Sequence, residues 1–283
     1  MAITSNVVRS DKGRIIEVNG TTPPEHLAKL RVPPAWTDLT VDTNPDARVL
    51  AAGKDQAGRP QKMYSQWHKE EASDRKFKRV RQLLEEYDDV RSVIEVDINH
   101  DGNSAPVREA AIVAYLVYET GIRPGSNKDT KAKKPAFGAT TLQLRHVHKC
   151  AAGVRLRFTG KKGVQQDILV TNPYLVELML ERKAATTAYT TPLFQCSAGA
   201  LNGYLKSIGK GTYTAKDLRT ARGTTIAKEW LRKKRLPKAK SKAKKVLNAC
   251  YDAVAKVLGN TRAVCRTSYV DPQVTIRFTA AIG

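Results

Sequence analysis

The sequence changes character near residue 70. Before that point, proline and glycine recur in short segments such as "TPPEH", "VPPAW", "NPDAR" and "AGRPQ", which are typical of turns. Apolar stretches between them indicate strands at Arg14–Val18, Leu39–Val41 and Val49–Ala52. After that point, apolar residues recur at the spacing of helices. We therefore predict a small, mostly β domain over residues 1–70 and a larger, mainly helical domain over residues 71–283.

Capping residues mark where the helices of the second part begin and end. Ser73 is predicted to begin the first helix, and Ser104 and Gly121 bound the second. Thr214, with an aspartate three residues later, predicts a third helix that opens with a capping box. The last apolar helical pattern ends at Gly259.

Two β elements carry basic residues. In the first part, "GKDQAGRPQKMYSQW" indicates a basic turn followed by an edge strand carrying Tyr64 and Trp67. Aromatic side chains among basic ones suit a surface that stacks on sugar or base edges, and a place in the domain core is the alternative for Trp67. In the second part, "VRLRF" and "QQDILV" alternate as strands around a turn at residues 160–163, which predicts a hairpin. The fold class predicted from both parts is α+β.

The charge of the chain points to a polyanionic partner. Lys and Arg number 49 against 27 Asp and Glu, a formal net charge of +22, and such a surface attracts nucleic acid through counterion release. The run Arg232–Lys245 holds nine basic residues and no acidic one, and with Pro237 inside it we predict a mobile loop that contacts DNA.

Other features exclude a membrane location and a disulfide framework. No run of about 18 apolar residues is present, and the N-terminus lacks the apolar segment of a secretory signal. The cysteines are widely spaced and form no CxxC pair, so we expect free thiols in a reducing cytoplasm. These cysteines are Cys150, Cys196, Cys250 and Cys265.

The sequence gives little support to metal, nucleotide or serine chemistry. His146 and His148 would share one face if "QLRHVHK" were a strand, but no third ligand stands at metal spacing. Neither GxxxxGK[ST] nor GxGxxG occurs, so ATP use has no basis in the sequence. No serine nucleophile elbow occurs either.

What stands out instead is a set of cations at the ends of predicted elements, followed by Tyr269. Arg123 comes after a helix stop, Lys161 lies in the hairpin turn, and Arg219 lies in the first turns of the capped helix. Two guanidinium groups can hold a phosphodiester, a lysine can protonate a leaving ribose oxygen, and a tyrosine can attack phosphorus. Such a set needs no divalent metal, because the arginines supply the positive charge.

Four stretches closely resemble the motifs of type IB DNA topoisomerases of the compact poxvirus and bacterial type. They are "YETGIRPGSNKDTKAKKPAFGATTLQLRHV", "LRFTGKKG", "YTAKDLRTARGT" and "KVLGNTRAVCRTSYVDP". Upstream, "RVPPAWTDL" and "GKDQAGRPQKMYSQWHKE" resemble the small N-terminal domain of that branch. The resemblance covers nearly the whole chain, with the motifs in the expected order.

The resemblance implies roles for five residues. The nucleophile of the family matches Tyr269, its first arginine Arg123, its second arginine Arg219, and its general acid Lys161. The fifth position is a histidine in some members and is Asn260 here. An amide can donate a hydrogen bond to a phosphate oxygen but carries no charge.

The resemblance also implies a mechanism and a setting. The two domains would form a C-shaped clamp around duplex DNA, cut one strand through a 3′-phosphotyrosyl link, allow rotation and reseal the strand, with no cofactor, metal or nucleotide. The protein would be a monomer in the nucleoid or in a host-cell cytoplasm. Predicted further DNA contacts are Arg59, Lys62, Tyr64, His146, Lys162 and Lys216.

Two alternatives stay open at the level of sequence. A tyrosine recombinase or integrase shares the phosphotyrosyl chemistry, but its second arginine usually lies in an H-x-x-R box, and Lys216 stands three residues before Arg219 here. A non-enzymatic basic DNA-binding protein would explain the charge but would leave the four motifs without a role.

Overall fold

A computed structural model describes residues 3–130 and 135–282 of the chain. The chain divides into two compact units, Met1–Lys76 and Phe77–Gly283. The division falls inside one long helix, α2 (Gln66–Glu85), six residues beyond the predicted domain boundary at residue 70. Residues 131–134, within the first stretch that carries the resemblance, lie outside the described residues.

The first unit is built on short antiparallel strands. In its described part, four strands pair in the order β1-β4-β5-β6, and β2 pairs with β3. A small core of Ile15, Val18, Leu27, Val41 and Leu50 lies beneath them. The elements are β1 (Ile3–Thr4), β2 (Val7–Arg9), β3 (Ile15–Val18), α1 (Glu25–Ala28), β4 (Thr37–Asp42), β5 (Val49–Lys54) and β6 (Pro60–Tyr64).

The predicted strands of this unit are confirmed, but the start of the first long helix is not. Residues Val49–Lys54 and Pro60–Tyr64 form a hairpin, with the second strand at the sheet edge as predicted. Trp67 is not on that strand, and Ser73 does not begin the helix, because α2 already starts at Gln66. In the first turn of α2 the apolar residue, Trp67, is exposed and the buried residue, His68, is polar, so this turn carries no apolar periodicity.

The second unit is mainly helical, with one three-stranded antiparallel sheet in the order β7-β8-β9 in its described part. Helix α4 lies at its centre, and every residue from Ala110 to Tyr118 is buried, as is typical of a helix that is apolar on all sides. The elements after α2 are α3 (Tyr87–Asn99), α4 (Ala105–Thr120), α5 (Asn127–Thr130), β7 (Val147–Cys150), β8 (Gly153–Thr159), β9 (Gln165–Val170), α6 (Pro173–Ala184), α7 (Ala198–Ser207), α8 (Ala215–Arg232), α9 (Lys240–Leu258), α10 (Arg262–Val264) and α11 (Pro272–Ala280).

Several predicted element ends are confirmed in this unit. Ser104 precedes α4, and Gly121 ends that helix in the left-handed conformation with φ 66°. Thr214 and Asp217 close a capping box at the start of α8. Gly259 ends α9 with φ 57°. Glycine adopts positive φ without the steric cost that a Cβ atom imposes, which explains both stops.

Two other predictions are wrong. The basic run Arg232–Lys245 is not all loop, because α9 begins at Lys240 and buries Ala243 against the rest of the unit. His146 and His148 do not share a strand face, because Leu144–His146 is a short 3₁₀ turn and β7 begins only at Val147.

None of the described helices is long and apolar enough to cross a membrane. The four cysteines are free, as predicted.

Candidate active site

Tyr269 ends a π-helical turn, Cys265–Tyr269, that lies between α10 and α11. The backbone N–H of Val270 donates to the carbonyl of Cys265 at 3.1 Å, which closes this wider turn. Single π turns inside helices are frequent at functional sites. The Tyr269 side chain is buried, and its ring lies against Arg219, whose Cζ is 4.9 Å from the ring centroid. The turn therefore presents the phenol next to a cation.

Arg219 is held by the ends of two helices. Its Nη1 donates to the carbonyl of Gly121 after α4, and its Nη2 donates to the carbonyl of Leu258 at the end of α9. These carbonyls lie at the negative ends of the helix dipoles, which stabilise a buried cation. Burial lowers the pKa of the Arg219 guanidinium, and Tyr269 acts in the opposite direction. Arg219 Nε is buried and makes no hydrogen bond to the described residues.

Arg123 and Asn260 form a second pair beside the first. Arg123 follows the left-handed stop of α4, and Asn260 follows the left-handed stop of α9, so the two helix ends bring them together. Arg123 Nη2 donates to Asn260 Oδ1, and Arg123 Nη1 lies 3.5 Å from the carbonyl oxygen of Gly259. Because Oδ1 accepts from the arginine, the amide presents Nδ2 elsewhere, and this buried atom has no partner among the described residues.

The loop that carries Arg123 packs tightly on a later segment. The N–H of Ala139 donates to the carbonyl of Arg123 at 2.8 Å, and the N–H of Thr140 donates to the carbonyl of Pro124 at 2.8 Å. A Cβ atom at Gly138 would lie 2.5 Å from the Arg123 carbonyl oxygen. Only glycine can occupy position 138 at this distance. The backbone contacts therefore fix the loop, and with it the position of the Arg123 backbone from which the side chain extends.

Lys161 begins the short turn that joins β8 to β9. The predicted hairpin is confirmed. Lys162, next to Lys161, adopts φ 63°, a left-handed backbone conformation that is uncommon for residues other than glycine. Both lysines are exposed, but only Lys161 lines the cleft described next.

A cleft of about 340 Å³ brings four of the five predicted catalytic residues together, and Asn260 is not among its lining residues. We call it the cationic cleft, because arginine and lysine side chains line it and none of its described lining residues is acidic. A phosphodiester fits this charge, and the phenol, the ammonium and the guanidinium groups would then all face it. The lining residues are Arg123, Pro124, Gly125, Ala136, Phe137, Lys161, Lys216, Arg219 and Tyr269.

The predicted DNA contacts are distributed between the two units. Arg59, Lys62 and Tyr64 lie on the β5–β6 hairpin of the first unit, where the guanidinium of Arg59 pairs with Asp55 at 2.7 Å. Lys62 is exposed on β6. In the second unit, Lys216 lines the cationic cleft.

His146 differs from the other predicted contacts, because it is buried. Its Nδ1 accepts from the backbone N–H of Gln143 at 3.0 Å, and its ring packs on Phe137 at a centroid distance of 4.5 Å. Burial, with the charge of Arg145, lowers the pKa of His146 to about 4. These observations fit a neutral core histidine and do not fit a direct DNA contact.

Two neighbours of Tyr269 were missed in the sequence. Gly223 and Thr224 lie on α8, and a Cβ atom at Gly223 would lie 2.5 Å from the Tyr269 carbonyl oxygen. A signal existed, because a glycine inside a helical pattern costs about 1 kcal/mol relative to alanine and often marks a close approach. The sequence does not show that the residue packed against Gly223 is Tyr269.

Comparison with known proteins gives a consistent result. A family model described as "Eukaryotic DNA topoisomerase I, catalytic core" matches residues 65–278. A DNA topoisomerase 1B of Acanthamoeba polyphaga mimivirus is 27% identical over 265 residues, which are 87% of this chain and 77% of that protein. DNA topoisomerase 1 alpha of Arabidopsis thaliana is 26% identical over 158 residues, which are 55% of this chain but only 17% of that protein.

Proposed function

Because this chain belongs to the type IB DNA topoisomerase family and is a DNA-relaxing enzyme, we propose that Tyr269 is the residue that cuts and reseals the strand. Family membership favours this function over the recombinase and the non-enzymatic binder. The observation that carries the residue assignment is the cationic cleft, which brings Tyr269 together with Arg123, Lys161 and Arg219. Asn260 Nδ2, a buried donor that has no acceptor among the described residues, lies beside Arg123 and suggests an anion that is bound during the reaction.

The cleavage step uses three groups. The Tyr269 phenol oxygen forms a bond to phosphorus while the bond from phosphorus to the 5′-oxygen of the next nucleotide breaks. The phenolic proton leaves to water, and the Lys161 ammonium protonates the departing 5′-oxygen. The products are a 3′-phosphotyrosyl enzyme and a free 5′-hydroxyl group.

The remaining groups stabilise the charge that develops on the non-bridging oxygens. Arg123 and Arg219 donate from two sides, and Asn260 Nδ2 supplies a neutral donor in place of the histidine of some family members. Arg219 is already fixed by two backbone carbonyls and Arg123 by Asn260. Fixed donors need little reorganisation during the reaction, which is what makes them effective.

Resealing is the reverse of cleavage. After the duplex has rotated, the 5′-oxygen forms a bond to phosphorus and gives its proton to Lys161, while the bond to Tyr269 breaks and the phenolate takes a proton from water. The phosphodiester energy is kept in the covalent link, so the reaction as proposed consumes no ATP and takes its positive charge from side chains rather than from a metal.

The wider setting is also proposed. The first unit would close with the second as a C-shaped clamp on duplex DNA, with Arg59, Lys62 and Tyr64 contacting the backbone. The protein would act as a monomer, without a nucleotide, at the DNA of the nucleoid or of a host-cell cytoplasm. The net charge of +22 supports the DNA partner.

The covalent link tests the proposal. Enzyme is mixed with negatively supercoiled plasmid, the reaction is quenched with detergent, and the DNA-linked peptide is identified by mass spectrometry after nuclease digestion. We expect a nucleotide joined through its 3′-phosphate to the peptide containing Tyr269, and a 5′-hydroxyl end that polynucleotide kinase can label. Linkage to another residue, a 5′-phosphate linkage or no adduct would overturn the assignment. Tyr189→Phe, at a tyrosine that is 54% exposed, is the matched control.

A further inference from the structure

Two arginines on α2 each pair with a buried aspartate two residues away from a proposed catalytic residue. Arg79 Nη2 lies 2.9 Å from Asp217 Oδ1, and Asp217 is two residues before Arg219. Arg81 Nη1 lies 2.8 Å from Asp271 Oδ2, and Asp271 is two residues after Tyr269. Both aspartate side chains are almost fully buried, whereas the two arginines are about one third exposed.

Each aspartate also fixes the start of a helix. Asp217 Oδ2 accepts from the backbone N–H and the hydroxyl of Thr214, which closes the first turn of α8. Asp271 Oδ1 accepts from the N–H of Gln273 at 3.0 Å and caps α11. One oxygen of each carboxylate therefore holds a helix start while the other holds an arginine.

Asp271 is tied to Tyr269 through a single hydroxyl group. The backbone N–H of Asp271 donates to Thr224 Oγ1 at 3.1 Å, and Thr224 Oγ1 lies 3.4 Å from the carbonyl oxygen of Tyr269. Thr224 thus bridges the backbone on both sides of Val270. Because Thr224 lies on the same helix as Arg219, α8 holds both the backbone of the nucleophile and the cation that its ring contacts.

We infer that Arg81 and Asp271 are positioning residues that set the orientation of Tyr269 for attack. Without Arg81, the Asp271 carboxylate would be a buried charge whose ion-pair partner is missing, which strongly destabilises its present position. Movement of Asp271 would shift the segment that begins at Tyr269. The inference rests on the proposed role of Tyr269, since a positioning residue needs a nucleophile to position.

A second role for Arg81 gives a different signature. Its side chain is 36% exposed, so it could instead contact a DNA phosphate. Loss of a phosphate contact weakens binding and lowers the salt dependence of binding by about one unit of slope. Loss of a positioning contact slows the reaction of bound DNA and leaves binding nearly unchanged.

The test is a double-mutant cycle with Arg81→Met and Asp271→Asn. Asparagine keeps the cap on Gln273 but cannot form the ion pair, so the two changes remove the same interaction. The rate of covalent adduct formation is measured with excess enzyme on negatively supercoiled plasmid, and DNA affinity is measured separately in a Tyr269→Phe background. Arg91→Met is the matched control, because Arg91 is 44% exposed and pairs with Glu95 on α3.

We expect each single change to slow adduct formation by about 10²-fold, the effect of a misplacement on the order of 1 Å. The double variant should be no slower than the slower single variant, and Arg91→Met should match wild type. If the two effects multiply, or if Arg81→Met weakens DNA binding without slowing bound DNA, the inference is wrong. If Asp271→Asn does not fold, the adduct rate and DNA affinity of Arg81→Met are sufficient to test the inference. A wild-type enzyme that forms no adduct would instead overturn the proposed function itself.

Discussion

Adding a single methyl group at Gly223 should displace Tyr269, the proposed nucleophile. It lies in the middle of α8, one turn after Arg219, with its α-carbon facing the backbone of Tyr269. An added Cβ atom would lie 2.5 Å from the Tyr269 carbonyl oxygen, 3.3 Å from its Cβ and 3.1 Å from Leu258 Cδ1. The Gly223→Ala substitution therefore places one methyl group between α8 and the π-helical turn.

The size of the effect follows from these distances. A carbon–oxygen contact normally lies at about 3.3 Å or more, so the Tyr269 backbone must shift by roughly 0.8 Å. Displacements of about this size cost on the order of 10- to 100-fold in rate. Overpacking destabilises by about 1–3 kcal/mol, whereas alanine in place of glycine in a helix returns about 1 kcal/mol. The net loss of stability, about 0–2 kcal/mol, corresponds to a fall in Tm of roughly 0–8 °C.

The assay separates activity from stability. Adduct formation on supercoiled plasmid is followed well below the Tm, and unfolding is followed by circular dichroism. Gly203→Ala is the control, because Gly203 lies inside α7 and an added Cβ there meets nothing within 4 Å. We expect the control to be as active as wild type and slightly more stable. A Gly223→Ala enzyme that cleaves at the wild-type rate would refute the proposed packing of α8 on Tyr269.

Three further predictions concern single side chains. Lys161→Ala should lower the cleavage rate by about 10²–10⁴-fold through loss of the general acid, while Lys162→Ala at the adjacent exposed position should leave it nearly unchanged; equal losses in a single-turnover assay would contradict the assignment. Asn260→Asp should cost about 10²–10³-fold because a carboxylate repels the phosphate, and Asn260→His should retain most activity in the same assay. Lowering the pH from 7 to 5 should cost about 2 kcal/mol of stability through His146, whose pKa falls from its ordinary value to about 4 on folding. The folded state disfavours the protonated ring, so this stability is present above the ordinary pKa and is lost as the pH falls toward 4; urea unfolding of His146→Gln should lack this loss, and an unchanged pH dependence would count against it.

Local signals in the sequence were sufficient for most element ends. Gly121, Gly259 and the Thr214 capping box are short-range features, because a cap or a left-handed stop is decided within one helical turn. Two of the proposed catalytic residues, Arg123 and Asn260, follow the two glycine stops closely in the chain. A reader of the sequence can therefore predict which residues occur at the ends, and the fold then brings these ends together.

Features that depend on distant partners could not be predicted. The start of α2 buries a polar residue and exposes Trp67, and the first turn of α9 is mostly basic, so neither shows an apolar pattern in the sequence. Helix α9 is stabilised at its start by burial of Ala243. His146 is buried because it packs against Phe137 and Phe158, which are distant from it in the sequence, so its burial could not be predicted locally. The pairing of Arg81 with Asp271 joins residues 190 positions apart.

The role of Tyr269 is tested most directly by relaxation of negatively supercoiled plasmid with EDTA present and ATP absent. Wild type, Tyr269→Phe and the control Tyr189→Phe are compared at equal concentrations, after circular dichroism has shown that all three are folded. We predict that wild type and Tyr189→Phe relax the plasmid fully and that Tyr269→Phe leaves it supercoiled. Relaxation by Tyr269→Phe at the wild-type rate, or loss of wild-type activity in EDTA, would contradict the proposed mechanism.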